Sequence, residues 1–436
     1  MNLYSTNNKN LRVSFKEGVF NSLPADKGLY MPESIPVMNP DFIRNLHSYN
    51  LPEIAFQVAK NILQGDIPDL ELKEIVEDAI NFDAPVIDLE ENIHVVELFH
   101  GPSLAFKDFG ARFMSRVMSY FLQPTEKELN VLVATSGDTG GAVALGFLGV
   151  HNTRVTILYP KGKVSPIQEL QLTTNGHNIH AIEIDGTFDD CQALVKQAFN
   201  DAELKERFRL TSANSINISR LIPQTFYYFN AYAQLQRQGK TEVVFSVPSG
   251  NFGNIAAGLL AWKMGLPVKH FLAATNINDT VPSFLKSGVY RAKPSVQTWS
   301  NAMDVGDPSN WVRIMDLFKG DRAEMKKILT AYTFTDEETL AAINKVYEDH
   351  QYIMCPHTAI AWLALKHWTT DNRDDNDIGV FLSTAHPCKF PDIFPEHIAE
   401  KINVPSQVLG LEGKEKLSVS LGRDFEGFKE YLLTER

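Results

Sequence analysis

Cysteine is scarce. Cys191, Cys355 and Cys388 are the only three in 436 residues, and no two stand in a CxxC pair. That excludes a disulfide framework and a cysteine-built zinc site, and it suits a reducing compartment. Long apolar runs are missing too. The best uncharged stretch, 140–150, falls short of the roughly 20 residues that a spanning helix needs, so no membrane partner is expected. A basic excess is also lacking, since Lys and Arg number 41 against 53 Asp and Glu, for a net charge of −12. Bulk charge therefore excludes a nucleic-acid partner but leaves room for a local basic pocket that holds a small anion. The first residues are polar and Asn-rich, without a basic region ahead of an apolar run, so no secretory signal is expected and the location expected is cytoplasmic. No HExxH pattern occurs, and His177 and His180 have no carboxylate partner at ligand spacing, so no metal is expected.

What is present is an ordinary globular composition, 44% apolar and 22% charged, in a chain long enough for two or three packed units. Up to about residue 91 the sequence is broken by Pro24, Pro32, Pro36, Pro40, Pro52, Pro68 and Pro85. Between them, 51–65 and 70–81 carry apolar residues at helical spacing, which predicts a mostly helical N-terminal unit over 1–91. Beyond it the rhythm changes to short apolar runs alternating with helical stretches. Strands are expected at 94–99, 130–135, 154–159, 180–185, 241–247, 270–275 and 377–383, and helices at 109–121, 141–148, 189–199, 224–236 and 255–264. Runs that are apolar throughout belong to strands buried on both faces, so the body reads as α/β with doubly wound, mostly parallel sheets. Two such domains are expected, 92–235 and 236–436. The stretch 276–350 reads as an insertion or lid, and the acidic run 371–377 as a solvated loop.

Five segments stand where chemistry is expected. Ser249, Gly250, Asn251, Phe252, Gly253 and Asn254 follow an apolar strand and open a helix, an order that gathers backbone N–H groups at a helix N-terminus and makes a phosphate cradle. The pattern is neither GxGxxG nor GxxxxGK followed by Ser or Thr, so a dinucleotide or ATP is not the direct reading. The competing reading is a tight turn that uses glycine for its dihedrals. Ser136, Gly137, Asp138, Thr139 and Gly140 form a second loop of the same design. Lys107 stands between Phe106 and Phe109 where a turn hands over to a helix; most lysines merely solubilise, but one in an apolar pocket has its amine freed for a Schiff base. Ser215 and Arg220 lie in an Asn- and Ser-rich stretch suited to phosphate oxygens or to capping a helix. Ser383, Thr384 and His386 follow another strand, where open α/β sheets bind ligands, or where a turn needs a cap.

Taken together, HGPSLAFKDFG, ATSGDTGGAVA, SANSINISR, SVPSGNFGN, AATNINDTVP and STAHPCKF resemble, in order and over nearly the whole chain, the motifs of the threonine synthase family within the fold-type II pyridoxal-phosphate enzymes. The resemblance implies the tryptophan synthase β-like architecture plus an N-terminal domain, with pyridoxal 5'-phosphate as cofactor. It implies that Lys107 is the Schiff-base lysine, that Ser249, Gly250, Asn251, Phe252, Gly253 and Asn254 hold the cofactor phosphate, and that the Thr384 hydroxyl contacts the pyridine nitrogen. Ser136, Gly137, Thr139 and Gly140 would surround the substrate carboxylate, with Asp138 near the cofactor 3-oxygen, and Ser215 and Arg220 would bind the substrate phosphate. The reaction implied converts O-phospho-L-homoserine and water to L-threonine and phosphate, the last step of threonine biosynthesis, in a monomer or small homo-oligomer. A lyase that releases 2-oxobutyrate, or a non-catalytic homologue that binds a phosphate ligand, are the alternatives. Asp138 departs from the shorter relatives, which commonly carry Asn there. A carboxylate cannot donate to the 3-oxygen, so either Asp138 is protonated or another group donates.

Overall fold

In the computed structural model, residues 1–123, 127–372 and 376–434 are described. The body contains two sheets. One has six strands in the order Leu329–Thr333, Val268–Thr275, Val243–Pro248, Ile378–Ser383, Ile93–Glu97 and Val86–Glu90, parallel except for the last. The other has five parallel strands in the order Ser418–Leu421, Ile179–Ile184, Thr153–Pro160, Leu129–Ala134 and Arg209–Ser212. The central strands Leu129–Ala134, Val243–Pro248 and Ile378–Ser383 are buried along their whole length, as continuous apolar runs covered by helices on both faces must be. The α/β, mostly parallel reading therefore holds, and every strand expected in the body is found with its ends shifted by a residue or two.

Several strands were not expected. Val86–Glu90 and Ser418–Leu421 are exposed edge strands with mixed polar residues, and Arg209–Ser212 and Leu329–Thr333 are short and follow charged helices, so none presents an apolar run. In the N-terminal unit, helices Leu51–Leu63 and Asp69–Ala79 lie where their spacing puts them. Asn50 and Glu53 close a capping box on the first of these. An antiparallel sheet of Asn2–Ser5, Arg12–Ser14 and Tyr30–Pro32 accompanies them. Of the acidic run, Asp371 ends helix Pro356–Asn372 and Asp377 is buried in an ion pair with Lys269, while 373–375 lie outside the described residues. The stretch 276–350 holds helices Thr280–Ser287, Trp311–Leu317 and Asp336–His350, and it supplies the edge strand Leu329–Thr333. Among the described residues no helix is long and apolar enough to cross a membrane.

All five singled-out segments leave the C-terminal ends of parallel strands, the Ser215 to Arg220 stretch following Arg209–Ser212, which brings them to one region. Thr135 follows Leu129–Ala134, Ser249 follows Val243–Pro248, Thr384 follows Ile378–Ser383, and the turn before Lys107 follows Ile93–Glu97. Backbone hydrogen bonds lock the last two together. Phe106 N–H donates to the Thr384 carbonyl at 2.9 Å, and His386 N–H to the Leu104 carbonyl at 3.0 Å.

Candidate functional site

Lys107 opens helix Lys107–Phe121, and its amine faces a carboxylate, Asp138, at 3.7 Å. Burial drives its pKa down from 10.5 to about 8; Asp138 opposes that shift, and the cations Lys389 and Arg220 add to it. At neutral pH an appreciable fraction of the amine is therefore free, which an exposed lysine does not achieve.

The question over Asp138 is answered by a residue that spacing did not single out. Lys389 is fully buried, and its Nζ lies 2.6 Å from Asp138 Oδ1 and donates to the Ser103 carbonyl at 2.9 Å. Gln168 Nε2 donates to the same carboxylate oxygen at 2.8 Å. Burial alone would push the Asp138 pKa up, but Lys389 and Lys107 pull it well below the ordinary carboxylate range. Asp138 is ionised, so of the two alternatives protonation is the one the structure disfavours. A lysine in STAHPCKF reads as an exposed charge from sequence, and nothing in the pattern says that it is buried. His357, also missed, lies in the same cluster. Its Nε2 accepts from Ala302 N–H at 3.3 Å, and burial lowers its pKa to about 4, so it is neutral.

The loop after Leu129–Ala134 is held by Thr135, whose Oγ1 accepts from the N–H groups of Gly137 (3.0 Å) and Gly140 (2.8 Å). Gly137 has φ +136°, and a Cβ there would meet the Gln168 side chain at 2.4 Å, so glycine is required for both reasons. Because Thr135 occupies those two amides, Gly137 and Gly140 shape the turn, and the hydroxyls of Ser136 and Thr139 remain as donors for an anion.

In the other cradle, Ser249 and Asn254 are buried and helix Gly253–Lys263 begins just after Phe252, which adopts the left-handed conformation (φ 59°). A Cβ on Gly250 would come within 2.7 Å of the Ala302 carbonyl oxygen and Met303 Cα, so segment 302–303 lies directly over the loop. Asn251 Nδ2 donates to Ser215 Oγ at 2.5 Å. The loop read as a cofactor cradle thus touches the residue read as a phosphate ligand.

Arg220 is buried and donates from Nη1 to the Ala213 carbonyl at 2.8 Å, while its Nε has no hydrogen-bond partner. Burial lowers its pKa to about 10, so it stays charged, and Gly110, one turn along the helix from Lys107, makes room for it; a Cβ there would sit 2.7 Å from that Nε. An unpaired donor on a buried guanidinium beside the Lys107 helix suits an anionic ligand. Thr384 is buried at the end of its strand beside the Lys107 turn. His386 proves to be a cap, its Nδ1 accepting from Cys388 N–H at 3.2 Å. The three cysteines are buried and unpaired.

Residues 82–383 match the family model described as pyridoxal-phosphate dependent enzyme, 2–80 match threonine synthase N terminus, and 358–432 match threonine synthase, C-terminal. The threonine synthase of Haemophilus influenzae is 44% identical over 433 residues, covering 99% of this chain and all of that one. The crystal structure of threonine synthase from Escherichia coli superposes with a TM-score of 0.91 at 42% identity, covering both chains completely. A structure described as PLP-bound threonine synthase from Brucella melitensis gives a TM-score of 0.91 at 34% identity over 99% of this chain and 98% of that one.

Proposed function

Since the chain belongs to the threonine synthase family of pyridoxal-phosphate-dependent enzymes, we propose that it converts O-phospho-L-homoserine and water to L-threonine and phosphate with Lys107 as its catalytic residue. It is a lyase acting on a small molecule, and its cofactor is pyridoxal phosphate, which when bound supplies a sink for the negative charge left on carbon as a proton departs.

The donor set fits that group. Ser249, Gly250, Asn251, Phe252, Gly253 and Asn254 would hold its phosphate at the N-terminus of helix Gly253–Lys263, and the close approach at Gly250 supports a backbone cradle. Thr384 offers a neutral hydroxyl to the ring nitrogen, and ionised Asp138 with its partner Lys389 faces the 3-oxygen side. Lys107 Nζ, partly unprotonated because it is buried, takes the proton next to the substrate amine and moves protons between neighbouring carbons. Ser136 and Thr139 bind the substrate carboxylate within the turn that Gly137 and Gly140 shape. Arg220 and Ser215 hold the substrate phosphate and keep it in place as it leaves. The three unpaired cysteines support a reducing, cytoplasmic setting.

The observation that carries the reading is the 2.5 Å contact between Asn251 and Ser215, which supports placing a second phosphate directly beside the first. Product analysis with O-phospho-L-homoserine tests it. Threonine is expected, and 2-oxobutyrate in its place would mean a lyase without water addition. Arg220→Ala should raise KM for the phosphorylated substrate by about tenfold or more, the loss of one charge-assisted pair; unchanged kinetics would remove Arg220 from the site.

A further inference from the structure

Arg313 is one of the largest fully buried side chains in the molecule, and no carboxylate accompanies it among the described residues. All of its donors are spent on neutral oxygens. Nε and Nη2 reach the Tyr30 carbonyl at 3.2 and 3.1 Å, and Nη2 also reaches the Ile216 carbonyl at 2.6 Å. Nη1 donates to Asn310 Oδ1 at 2.7 Å and to the Ser215 carbonyl at 3.4 Å. One guanidinium thus fastens three separate parts of the chain: the N-terminal sheet, the start of the Ser215 to Arg220 stretch, and the segment before helix Trp311–Leu317. That segment also grips the other cradle, with Asn310 N–H on the Asn251 carbonyl at 3.3 Å, Ser309 N–H on Asn251 Oδ1 at 2.6 Å, and Trp311 edge-on to Phe252.

Taking a guanidinium out of water without a counter-ion is costly, and neutral carbonyls repay only part of it. Arg220, with its unpartnered Nε and its charge offset in part by Asp108, leaves a second buried positive charge on the same stretch. A doubly charged anion at Ser215 would balance both. We propose that Arg313 is a positioning residue for the substrate phosphate: without touching a reacting atom, it clamps the main chain at Ser215 and Ile216 between Tyr30 and Asn310 and contributes a fixed positive charge that the bound phosphate neutralises. This rests on the reading of Ser215 and Arg220 as the phosphate side of the site. It also gives the N-terminal unit a task in substrate binding. Asn217, in the same stretch, is held from that side too, donating to the Val19 carbonyl at 2.8 Å and to Ser22 Oγ at 3.2 Å.

The test uses cofactor-loaded wild type, Arg313→Lys, Arg313→Gln and Arg220→Ala, and compares inhibition by inorganic phosphate with inhibition by unphosphorylated L-homoserine. For Arg313→Gln, the inhibition constant for phosphate and KM for the phosphorylated substrate should rise about tenfold or more. Inhibition by homoserine and the visible spectrum of the holoenzyme should stay within about twofold of wild type. Arg313→Lys keeps the charge but not the fork and should fall between the two. Equal losses for phosphate and homoserine, or none for either, would overturn the proposal, as would failure to recover folded holoenzyme with either side chain, which would make Arg313 a folding residue only. If Arg220→Ala leaves phosphate inhibition unchanged, the underlying site reading fails instead, and the two failures are told apart.

Discussion

Replacing Lys389 by methionine removes one member of a buried ion pair and leaves the packing volume nearly the same. Its Nζ stands 2.6 Å from Asp138 Oδ1 with both side chains shielded from water. At an effective dielectric near 20 the gross attraction at such a distance is ~6 kcal/mol, and orphaning one partner of a buried pair costs ~3–5 kcal/mol. Lys107, 3.7 Å from the other carboxylate oxygen, is left as the remaining cation beside it, so the lower end of that range is expected. The same change acts on the Lys107 amine. Lys389 repels its protonated form and shares the carboxylate that attracts it, so the variant raises the Lys107 pKa from about 8. A rise of about one unit would reduce the free amine at pH 8 from about half to about a tenth. Two assays read these effects: denaturant unfolding of cofactor-free protein, and the rate at which visible absorbance develops after mixing with pyridoxal phosphate across a pH series. The loading midpoint should move alkaline. A midpoint at or below that of wild type, or a stability loss under ~1 kcal/mol, would refute the reasoning. The double variant Lys389→Met/Asp138→Leu should recover part of the lost stability, because it removes the orphaned carboxylate, while Lys107 loses its counter-ion and its pKa falls further.

Gly250→Ala forces a methyl against the Ala302 carbonyl and Met303 Cα, a backbone clash costing ~1–3 kcal/mol, and should weaken pyridoxal phosphate binding about tenfold in an equilibrium titration. Thr135→Val takes the acceptor from the Gly137 and Gly140 amides; a stability loss of ~2 kcal/mol is expected, with KM affected more than kcat in steady-state assays. Lys107→Met should stabilise the cofactor-free protein in a pH-dependent way. The native lysine titrates at about 8 instead of 10.5, so between these values the unfolded chain binds the extra proton and wild-type stability rises with pH. The advantage of the variant in unfolding experiments is therefore greatest below pH 8, at ~3 kcal/mol, and fades by pH 10.5.

What could be read from sequence was whatever rests on pattern within a short window. The all-apolar strands of the body announce themselves because both of their faces are covered, and the glycine loops because a strand, a turn and a helix follow one another in fixed order. Edge strands such as Ser418–Leu421 carry no such signature, since one side of each meets water. Lys107 and Arg220 were singled out, but the surroundings that set them apart were not legible. Burial of Lys107 and the vacant Arg220 Nε depend on residues far away in the chain. Lys389, Gln168, His357 and Arg313 were missed for the same reason. A lysine or arginine looks alike in sequence whether it is solvated or enclosed, and enclosure is decided by packing between segments hundreds of residues apart.

The strand order of the larger sheet also constrains how the protein is made. Ile93–Glu97 emerges early with its antiparallel neighbour Val86–Glu90, but its other partner, Ile378–Ser383, is translated near the end. At ~5–20 residues per second the hairpin waits some tens of seconds on the ribosome with one edge unpaired. Its exposed backbone groups are a template for the wrong strand during that interval. Newly made chains should therefore be most prone to aggregate before residue 383 has emerged, and slowing translation over the last fifth of the message would lengthen that exposure.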